Sequence, residues 1–387
     1  MRIALFSDTF YPQVNGVSLT LQRLVQHFEK RNIDYQVFAP DCLQEQHDAH
    51  NVYRFTSLPV FRYPEYRIAL PNYYSIRQQL HQFKPDMIHM ATPFNVGWCG
   101  LHYGRKYDIP HVASYHTHFD RYLDYYHLQF VSRLFWRYIR WFHQSCLATY
   151  VPSEETKAVL VQQGITDVEM WKRGVDCNLF HPSKRASQSI REQYGFDEPY
   201  LFLYVGRVTL EKDLDILLQL STQLPDELRE QIRWIIVGEG PYSAEMRAQA
   251  PGNMTFTGYL KGEPLAQMYA SADLFIFPST TETFGNVVLE AMASGTPTIG
   301  ARAGGVQEII EDGKTGSLCV PRDTADFSAT ITRLMSQPLT RSMYGQQGRE
   351  YALTQSWDAI FDNLISSYEH LIEIHQALNN RSKIQSA

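Results

Sequence analysis

The stretch "DLFIFPSTTETFGNVVLEAMASGTPTIG" (Asp273–Gly300) contains the pattern of a strand, a loop, a helix and a second strand. The apolar run Leu274–Phe277 predicts a buried strand that ends at a proline, and the small-residue run Gly295–Pro297 predicts the end of the helix. Glu282 precedes this helix, and Glu290 lies inside it. At 1.5 Å per residue, the two acids are at most about 12 Å apart along the helix axis. A strand–helix–strand unit of this kind predicts a parallel α/β sheet.

Strand-like apolar runs occur in two series along the 387 residues. The first series is Arg2–Ser7, Tyr35–Ala39, Met87–Met90, Val112–Tyr115 and Thr149–Val151. The second series is Leu201–Val205, Trp234–Val237, Met254–Thr257, Leu274–Phe277 and Thr298–Gly300. Because a single core stops growing at roughly 250–300 residues, two doubly wound domains are expected. The polar, proline-containing stretch near 182–189 predicts domains at 1–185 and 186–359, with a C-terminal helix at about 360–387 packing back on the first.

The composition is that of an ordinary globular protein. Hydrophobic residues make up 44% and charged residues 20% of the chain, and the net charge of -6 argues against nucleic acid as a partner. The five cysteines lack metal-type spacing, the first apolar run is too short for a signal peptide, and no run of 18 apolar residues is present. A cytoplasmic chain is therefore expected, in which local cations hold any anionic ligand.

Several groups suited to phosphate follow predicted strands, where helix N-termini favour anions in an open α/β sheet. These groups are Gly16 in "VNG", Arg207 and Lys212 in "VGRVTLEKD", and the backbone amides of Phe284, Gly285 and Asn286. A glycine allows close backbone approach, and a permanently charged guanidinium and ammonium suit a diphosphate. Taken one at a time, an ordinary turn at Gly16 and solvated cations at the other two positions are the simpler interpretations.

Seven motifs in order resemble family 4 of the retaining nucleotide-sugar glycosyltransferases, whose fold is called GT-B. They are "NG" after the first strand, "SYHTH", "RGVD", "VGRVTLEKD", "VGEGP", the opening stretch and "GGVQEIIEDGKTG". The resemblance implies an α/β GT-B fold, with two doubly wound Rossmann-like domains facing each other across a cleft. It also implies a UDP-, GDP- or ADP-sugar as donor, and no obligatory metal or other cofactor.

The resemblance further implies a role for each acid and cation. Glu290 would hold the ribose hydroxyls, and Glu282 would lie beside the donor sugar. Arg207 and Lys212 would bind the diphosphate, and Gly16 would approach it from the first domain. The implied donor-binding set is Gly16, Arg207, Lys212, Glu282, Phe284, Gly285, Asn286 and Glu290, and the implied catalytic set is His116, Arg207, Lys212 and Glu282.

His116 follows the predicted strand Val112–Tyr115 and matches the active-site histidine of the same family. Considered alone, it is explained as well by a hydrogen-bonded core residue. His116 and His118 have no third ligand nearby, and Asp213 and Asp215 point to different faces of a predicted helix, so neither pair predicts a metal site. Solvated acids at a helix start are expected for both aspartates.

The segment Phe119–Gln144 mixes many aromatic side chains with Arg133, Arg137 and Arg140, a composition typical of helices at a membrane interface. An ordinary helix with core aromatics and solvated arginines is the alternative. The segment also resembles the lipid-glycosylating members of the family. This resemblance implies retaining transfer of a hexose to a hydroxyl of a membrane lipid or glycolipid, of diacylglycerol or phosphatidylinositol type, at the anionic inner face of the plasma membrane.

Other functions fit part of the same pattern. A soluble or polysaccharide acceptor would leave all the donor motifs unchanged, and a non-catalytic nucleotide-sugar-binding protein would share the fold. Intact Arg207, Lys212, Glu282 and His116 argue against that second function. A nicotinamide dehydrogenase shares the sheet type but requires a G-x-G-x-x-G sequence after its first strand, which this chain lacks.

Overall fold

The chain divides into two units in the computed structural model, which describes residues 1–13, 15–41, 51–60, 63–116 and 129–385. Unit 1 comprises Met1–Lys172 together with Asp358–Ala387. Unit 2 comprises Arg173–Trp357. Each unit has its own parallel sheet and its own buried apolar residues, as two doubly wound domains require.

The sheet of unit 1 has seven strands in the described part of the chain, and every neighbouring pair is parallel. The strands of unit 1 are β1 (Arg2–Phe6), β2 (Asp34–Pro40), β3 (Val52–Phe55), β4 (Ser57–Val60), β5 (Tyr63–Ala69), β6 (Met87–Met90), β7 (His111–Ser114), β8 (Thr149–Val151) and β9 (Val168–Met170). Their order in the sheet is β3-β2-β1-β6-β7-β8-β9, while β4 and β5 form a separate antiparallel pair. The order therefore reverses between β1 and β6.

Apolar periodicity explains why these segments form strands and helices. Ile3, Ala4, Leu5 and Phe6 are all fully buried, which is the pattern of a parallel strand covered on both faces. The helices of unit 1 are α1 (Gly16–Lys30), α2 (Tyr73–Phe83), α3 (Asn95–Tyr107), α4 (Gln129–His143), α5 (Glu154–Gln162) and, after unit 2, α15 (Trp357–Gln385).

The C-terminal helix α15 packs on unit 1 through buried and charged contacts. The Tyr368 hydroxyl lies 2.5 Å from Nδ1 of the buried His89, whose Nε2 lies 2.5 Å from Oγ of Ser114. Nε2 of His27, a buried residue of α1, lies 2.7 Å from Oδ1 of Asp362. These contacts join β6, β7 and α1 to a helix that is distant in the sequence.

Unit 2 is built on a six-stranded parallel sheet. Its strands are β10 (Tyr200–Val205), β11 (Ile232–Val237), β12 (Met254–Gly258), β13 (Leu274–Phe277), β14 (Thr298–Ala301) and β15 (Gly316–Cys319). The order is β12-β11-β10-β13-β14-β15, so the reversal falls between β10 and β13. Phe202 of β10 is in register with Trp234 of β11, and their rings meet edge to face at 5.2 Å in the core.

Helices connect these strands and cover the sheet. They are α6 (Ser187–Tyr194), α7 (Asp215–Gln223), α8 (Asp226–Arg229), α9 (Ser243–Gln249), α10 (Glu263–Ser271), α11 (Asn286–Ala293), α12 (Val306–Ile309), α13 (Thr324–Ser336) and α14 (Pro338–Leu353). Two single turns of 3-10 helix occur at Pro182–Lys184 and Leu210–Lys212. The second of these turns follows β10 and shapes the site described below.

The start of unit 2 lies earlier than the division that the sequence predicts at 185/186. Val175 and Phe180 are buried in the core of unit 2. The Val175 amide donates to the Gln355 carbonyl at 3.1 Å, and Arg349 donates to the Phe180 carbonyl at 2.8 Å. The polar stretch near Pro182 is therefore a surface turn within unit 2, and the chain passes between the units before Arg173 and after Trp357.

Candidate functional site

Ligands of doubly wound sheets bind beyond the carboxyl ends of the strands where the strand order reverses. In unit 2 this point lies between β10 and β13, and the predicted residues Arg207, Lys212 and Glu282 all follow one of these two strands. In unit 1 the corresponding point lies between β1 and β6. The site residues of each unit are described separately.

Lys212 and Glu282 form an ion pair between Nζ and Oε1. The Lys212 side chain is 7% exposed and the Glu282 side chain is 25% exposed, so both groups lie largely out of solvent at the edge of the sheet. The structure thus places in contact a cation predicted to bind diphosphate and a carboxylate predicted to orient the sugar. An ammonium has three N–H donors, so a lysine can contact a carboxylate and other acceptors at the same time.

Arg207 has a carboxylate partner that the sequence analysis missed. Its Nη2 lies 3.5 Å from Oε1 of Glu211, which is 1% exposed, whereas the Arg207 side chain is 24% exposed. The 3-10 turn at Leu210–Lys212 brings the Glu211 carboxylate close to the Arg207 guanidinium. A buried acid beside a half-buried guanidinium holds the cation near the carboxyl end of β10. The acid in "LEKD", directly before Lys212, was the available sequence signal.

Asp213 is a buried structural residue, and the prediction that it is a solvated acid at a helix start is wrong. It is 4% exposed and has φ 53°, a left-handed conformation that aspartate tolerates better than most residues. Its Oδ2 accepts from the Thr280 amide at 3.0 Å and from the Thr280 hydroxyl at 2.7 Å, and its Oδ1 accepts from Arg322 Nε at 2.8 Å. Asp213 thereby ties the loop after β10 to the loop after β13.

Two glycines, Gly304 and Gly305, contact the backbone of the loop that carries Glu282. The Gly305 amide donates to the Glu282 carbonyl at 2.9 Å. A Cβ at Gly304, where φ is 59°, would lie 2.2 Å from the same carbonyl oxygen, so only glycine fits this close approach. The motif "GGVQEII" therefore fixes the backbone of the Glu282 loop.

The helix α11 begins directly after this loop. Gly285, at φ 101°, precedes Asn286, and the Val288 amide donates to the Gly285 carbonyl at 3.0 Å. Phe284 is buried at this point, and Oδ1 of Asn286 is buried with no hydrogen-bond partner among the described residues. The predicted phosphate-binding amides of residues 284–286 thus lie where the chain enters α11.

Glu290 lies within α11 and accepts a hydrogen bond from the Tyr269 hydroxyl, with a Tyr269 Oη to Glu290 Oε2 distance of 3.0 Å. Burial, and then the Glu290 carboxylate, raise the pKa of Tyr269 well above its usual value, so Tyr269 remains a donor. One carboxylate oxygen of Glu290 is therefore oriented by α10. Tyr269 is a second residue that the sequence analysis did not single out.

In unit 1, the residues after β1 form a network around the start of α1. Oδ1 of Asn15 accepts from the Ser18 amide at 2.9 Å and caps α1, whose first residue is Gly16. Nδ2 of Asn15 donates to the Thr9 hydroxyl at 2.8 Å. The "NG" pair therefore starts a helix, whereas the simpler interpretation of the sequence is an ordinary turn, and its proposed approach to a phosphate stays a prediction.

Asp8 ties the loops after β1 and β6 in unit 1, as Asp213 ties those after β10 and β13 in unit 2. Asp8 Oδ2 accepts from the Thr92 hydroxyl at 2.7 Å, and Asp8 Oδ1 accepts from the Val96 amide at 2.9 Å, near the N-terminus of α3. Burial raises the pKa of Asp8, although the hydrogen bonds from Val96 and Thr92 oppose the rise. Each unit thus has a carboxylate and a threonine at its strand-order reversal.

His116 follows β7 and is 8% exposed. Its ring meets the Trp171 ring edge to face at 5.3 Å within unit 1. His118 and the part of the predicted membrane segment up to residue 128 lie outside the described residues. The candidate His116 is therefore placed at the carboxyl end of a central strand, as predicted from the motif "SYHTH", while its role stays a prediction.

The described part of the predicted membrane segment is α4. Arg133, Arg137 and Arg140 are all exposed, whereas Ile139 and Phe142 are fully buried. The aromatic and aliphatic residues of one face thus form core, and the arginines of the other face meet solvent. This arrangement is compatible with both interpretations of the segment. Arg140 also donates from Nε to the Gln163 carbonyl at 2.6 Å, which ties α4 to the end of α5.

The described part of the chain contains neither a metal-binding cluster nor a membrane-spanning helix. No group of three or more histidine, cysteine, aspartate or glutamate side chains in this part of the chain is arranged to hold a metal ion. Within the same residues, no helix combines the length and the apolar character needed to cross a membrane.

Two doubly wound units, one of them with two cations and a carboxylate at its strand-order reversal, are typical of glycosyltransferases that use nucleotide sugars. Residues 14–179 match the family described as Glycosyltransferase Family 4, and residues 186–351 match the family described as Glycosyl transferases group 1. The chain belongs to glycosyltransferase family 4 and has the GT-B fold.

Relatives of known name cover most of the chain. It is 33% identical to the GDP-mannose-dependent alpha-mannosyltransferase of Corynebacterium glutamicum, over 98% of this chain and 91% of that protein. It is 33% identical to the sulfoquinovosyl transferase SQD2 of Arabidopsis thaliana, over 92% of this chain and 71% of that protein. It is 27% identical to the alpha-monoglucosyldiacylglycerol synthase of Streptococcus pneumoniae, over 82% of this chain and 75% of that protein.

Solved structures share the fold. Sucrose-phosphate synthase from Thermosynechococcus elongatus superposes with a TM-score of 0.79 at 20% identity, over 96% of this chain and 99% of that chain. Anabaena Alr3699/HepE in complex with UDP-glucose superposes with a TM-score of 0.77 at 21% identity, over 96% of this chain and 100% of that chain. These similarities agree with the fold expected from the sequence motifs.

Proposed function

We propose that this glycosyltransferase moves a hexose from a nucleoside diphosphate sugar to a hydroxyl of a membrane lipid or glycolipid, with retention of configuration. The observation that carries the donor half of this proposal is the group formed by Arg207, Lys212 and Glu282 at the strand-order reversal of unit 2. Two cations that are held in place by carboxylates can bind a diphosphate, and the carboxylate that contacts Lys212 can accept hydrogen bonds from sugar hydroxyls.

The reaction follows from these groups. The bond between the anomeric carbon and the diphosphate oxygen breaks, and the acceptor oxygen bonds to the anomeric carbon on the same face of the sugar. Arg207, Lys212 and the first amides of α11 stabilise the charge that develops on the leaving diphosphate. A leaving phosphate oxygen takes the proton of the acceptor hydroxyl, so no carboxylate nucleophile and no metal ion are required.

The remaining site residues receive positioning roles in this proposal. Glu290, oriented by Tyr269, binds the ribose hydroxyls, and Glu282 orients the sugar while it remains bonded to Lys212. Gly16 and His116 of unit 1 contact the diphosphate and the sugar, respectively, in the loaded enzyme. The ion pair with Glu211 orients the Arg207 guanidinium toward the diphosphate.

The donor is a UDP-, GDP- or ADP-sugar, and GDP-mannose is the first to test because several relatives are named as GDP-mannose-dependent. A thermal-shift screen of UDP, GDP, ADP and their sugars identifies the base. A ligand present at a hundred times its Kd stabilises the folded protein by about 2.7 kcal/mol and raises its melting temperature. No shift with any of these ligands would contradict nucleotide-sugar binding.

The lipid acceptor is supported by the relatives named sulfoquinovosyl transferase SQD2 and alpha-monoglucosyldiacylglycerol synthase, and by the exposed arginines Arg133 and Arg137 on α4. Diacylglycerol and phosphatidylinositol are the acceptor types to test. The enzyme then works at the cytoplasmic face of the plasma membrane as a peripheral protein. Incubation with the labelled donor and detergent-dispersed acceptors tests this choice, because only a glycosylated lipid carries label into the organic phase, and no label there would contradict a lipid acceptor.

A further inference from the structure

The helices α3 and α4 of unit 1 share one exposed surface that combines tryptophans with cations. We infer that this surface docks on the headgroup region of an anionic lipid bilayer, with Trp98 and Trp141 inserted at the interface. The surface, called here the α3–α4 face, consists of Trp98, His102, Arg105, Lys106, Arg133, Leu134, Arg137 and Trp141.

On α3, one stripe of side chains is exposed while the opposite side is core. Val96, Cys99 and Tyr103 are buried. Trp98, at 43% exposure, and His102 are exposed one turn apart, and their rings stack at a centroid distance of 5.4 Å. Arg105 and Lys106 continue this stripe toward the end of the helix, as the spacing of three and four residues requires.

On α4, the exposed residues fall on one face in the same way. Arg133, Leu134, Arg137 and Trp141 are all exposed, with Leu134 at 66% and Trp141 at 43%. Large apolar side chains at such exposure, alternating with arginines, are unusual for a face that meets only water. They form the pattern of an interfacial helix, whose cations reach the headgroups while its apolar side chains enter the bilayer surface.

The two helices are packed together, so their exposed stripes form one face. The Tyr138 hydroxyl of α4 donates to the Pro93 carbonyl, just before α3, at 2.5 Å. A Cβ at Gly97 of α3 would lie 3.6 Å from Cζ of Phe142. A shallow groove is lined by Trp98, Leu101, His102, Arg105, Lys106 and Trp141. The two exposed tryptophans therefore flank a common groove bordered by cations.

The positive charge of the α3–α4 face indicates that its partner is anionic. The segments Asn95–Tyr107 and Gln129–His143 contain arginine and lysine but no aspartate or glutamate, in a chain of net charge -6. The acid next to α3, Asp108, accepts a hydrogen bond from Asn379 of α15 at 2.6 Å. A cationic face with tryptophans fits anionic headgroups over an acyl boundary, because tryptophan favours membrane–water interfaces and each nearby cation adds attraction.

This inference deepens the proposed function, since it rests on a bilayer being the source of the acceptor, and it adds α3 and two tryptophans to the arginines of α4. It also changes which residues test docking. Arg140 donates to the Gln163 carbonyl, so its substitution disturbs α5 as well as charge. Arg105 and Lys106 offer a charge change at the opposite side of the groove.

The test uses the tryptophan fluorescence of the full chain with vesicles of phosphatidylglycerol and phosphatidylcholine that contain brominated acyl chains. Trp136, Trp171 and Trp234 are buried and Trp357 is partly buried, so Trp98 and Trp141 are the two exposed tryptophans, and the double variant separates their quenching from that of Trp357. We expect quenching of the wild type by the anionic vesicles and its loss in Trp98→Phe/Trp141→Phe. Unchanged quenching in that double variant, or equal binding to pure phosphatidylcholine vesicles, would overturn the inference.

A charge variant that retains both tryptophans provides the second measurement. Arg105→Gln/Lys106→Gln should weaken vesicle affinity by about 25-fold at low salt, or about fivefold per cation, and the effect should shrink as salt is added. The matched control is Lys261→Gln/Lys314→Gln, which removes two exposed cations from unit 2. Equal affinities for the two double variants would overturn the inference, because net charge alone would then explain binding.

The acceptor and the docking surface are separated by comparing two acceptor presentations. If the α3–α4 face docks, its variants lose transfer to a lipid acceptor in vesicles but keep transfer to the same lipid dispersed in detergent. Loss in both presentations to the same extent counts against a docking role. If the wild type glycosylates no lipid in either presentation, the proposed acceptor fails, while quenching by anionic vesicles still supports the surface.

Discussion

Lys212 and Glu282 form an ion pair that joins the loop after β10 to the loop after β13, although 70 positions separate them in the chain. Both side chains are mostly removed from solvent. A buried pair of this kind holds its members in place, and loss of one member leaves the other charge without its partner. In the proposed reaction, the donor would meet a lysine whose position the ion pair has already fixed.

The first prediction is that Lys212 and Glu282 are energetically coupled in catalysis. Lys212→Ala should lower kcat/KM about ten- to hundredfold, because charge-assisted hydrogen bonds of roughly 1.5–3 kcal/mol are lost. Glu282→Gln should also lower it, and the double variant should lose less than the product of the two single losses. Strictly multiplicative losses would show that the ion pair has no functional role. Lys261→Ala, at an exposed position, is the control.

The second prediction assigns Glu290 to the nucleoside and Glu282 to the sugar. Glu290→Gln should weaken binding of the free nucleoside diphosphate and of the donor alike, whereas Glu282→Gln should weaken only the donor. Tyr269→Phe should weaken nucleoside diphosphate binding about two- to tenfold, because Glu290 loses one orienting hydrogen bond. Calorimetry with both ligands measures each variant. Equal losses for both ligands in both glutamate variants would reject this division.

The third prediction concerns the stability of unit 2. Asp213→Ala should lower the free energy of unfolding by about 3 kcal/mol, because it leaves the Thr280 amide and hydroxyl without their acceptor and loses the ion pair with Arg322. Asp213→Asn should cost less, since asparagine also tolerates φ of 53° and keeps an acceptor oxygen. Urea denaturation measures both. Asp215→Ala, at an exposed position, should change stability by no more than about 0.5 kcal/mol.

The fourth prediction is a loss of stability in acid that originates at His143 of unit 1. Burial lowers the pKa of His143 to about 3, whereas an unfolded histidine titrates near 6.5. As the pH falls, the histidine of the unfolded state is therefore protonated before that of the folded state. The contribution of the neutral His143 to the free energy of unfolding is fully present above about pH 6.5 and decreases below it. Between pH 7 and pH 5 the expected loss is about 2 kcal/mol.

Urea denaturation of the full chain at both pH values checks this expectation. His143→Gln should remove about 2 kcal/mol of the difference between pH 7 and pH 5, whatever its effect on stability at pH 7. The same substitution at His370, which is exposed, is the control and should leave the difference as in the wild type. An identical pH dependence in His143→Gln and wild type would mean that the folded chain can protonate this histidine without cost.

Sequence patterns located the sheet edge at which the proposed donor-binding residues lie, because the ends of apolar parallel strands can be predicted from the sequence. Arg207, Lys212 and Glu282 each follow an apolar strand, and the carboxyl ends of parallel strands share one edge. Which of these residues contact each other depends on loop conformation. The Lys212–Glu282 pair was therefore not predicted, although both members were.

Two features were missed or misjudged because the spacing of apolar residues does not encode loop conformation or tertiary packing. Asp213 was expected in solvent because helical periodicity was extended back from α7, but a 3-10 turn and a left-handed residue direct its carboxylate inward. The exposed stripe of α3 went unnoticed because "NVGWCGLHYGRKY" alternates small, aromatic and charged residues. Only the position of the sheet reveals which side of that helix is covered.

The return of α15 to unit 1 also sets an order of events during protein synthesis. The ribosome makes all of Arg173–Trp357 before it makes the helix that completes unit 1. Until then, His89 has no Tyr368 and His27 has no Asp362 to contact. The sequence of unit 2 is therefore complete before that of unit 1. A premature stop codon after Trp357 would spare every residue of the proposed donor site in unit 2 while removing the helix that completes unit 1.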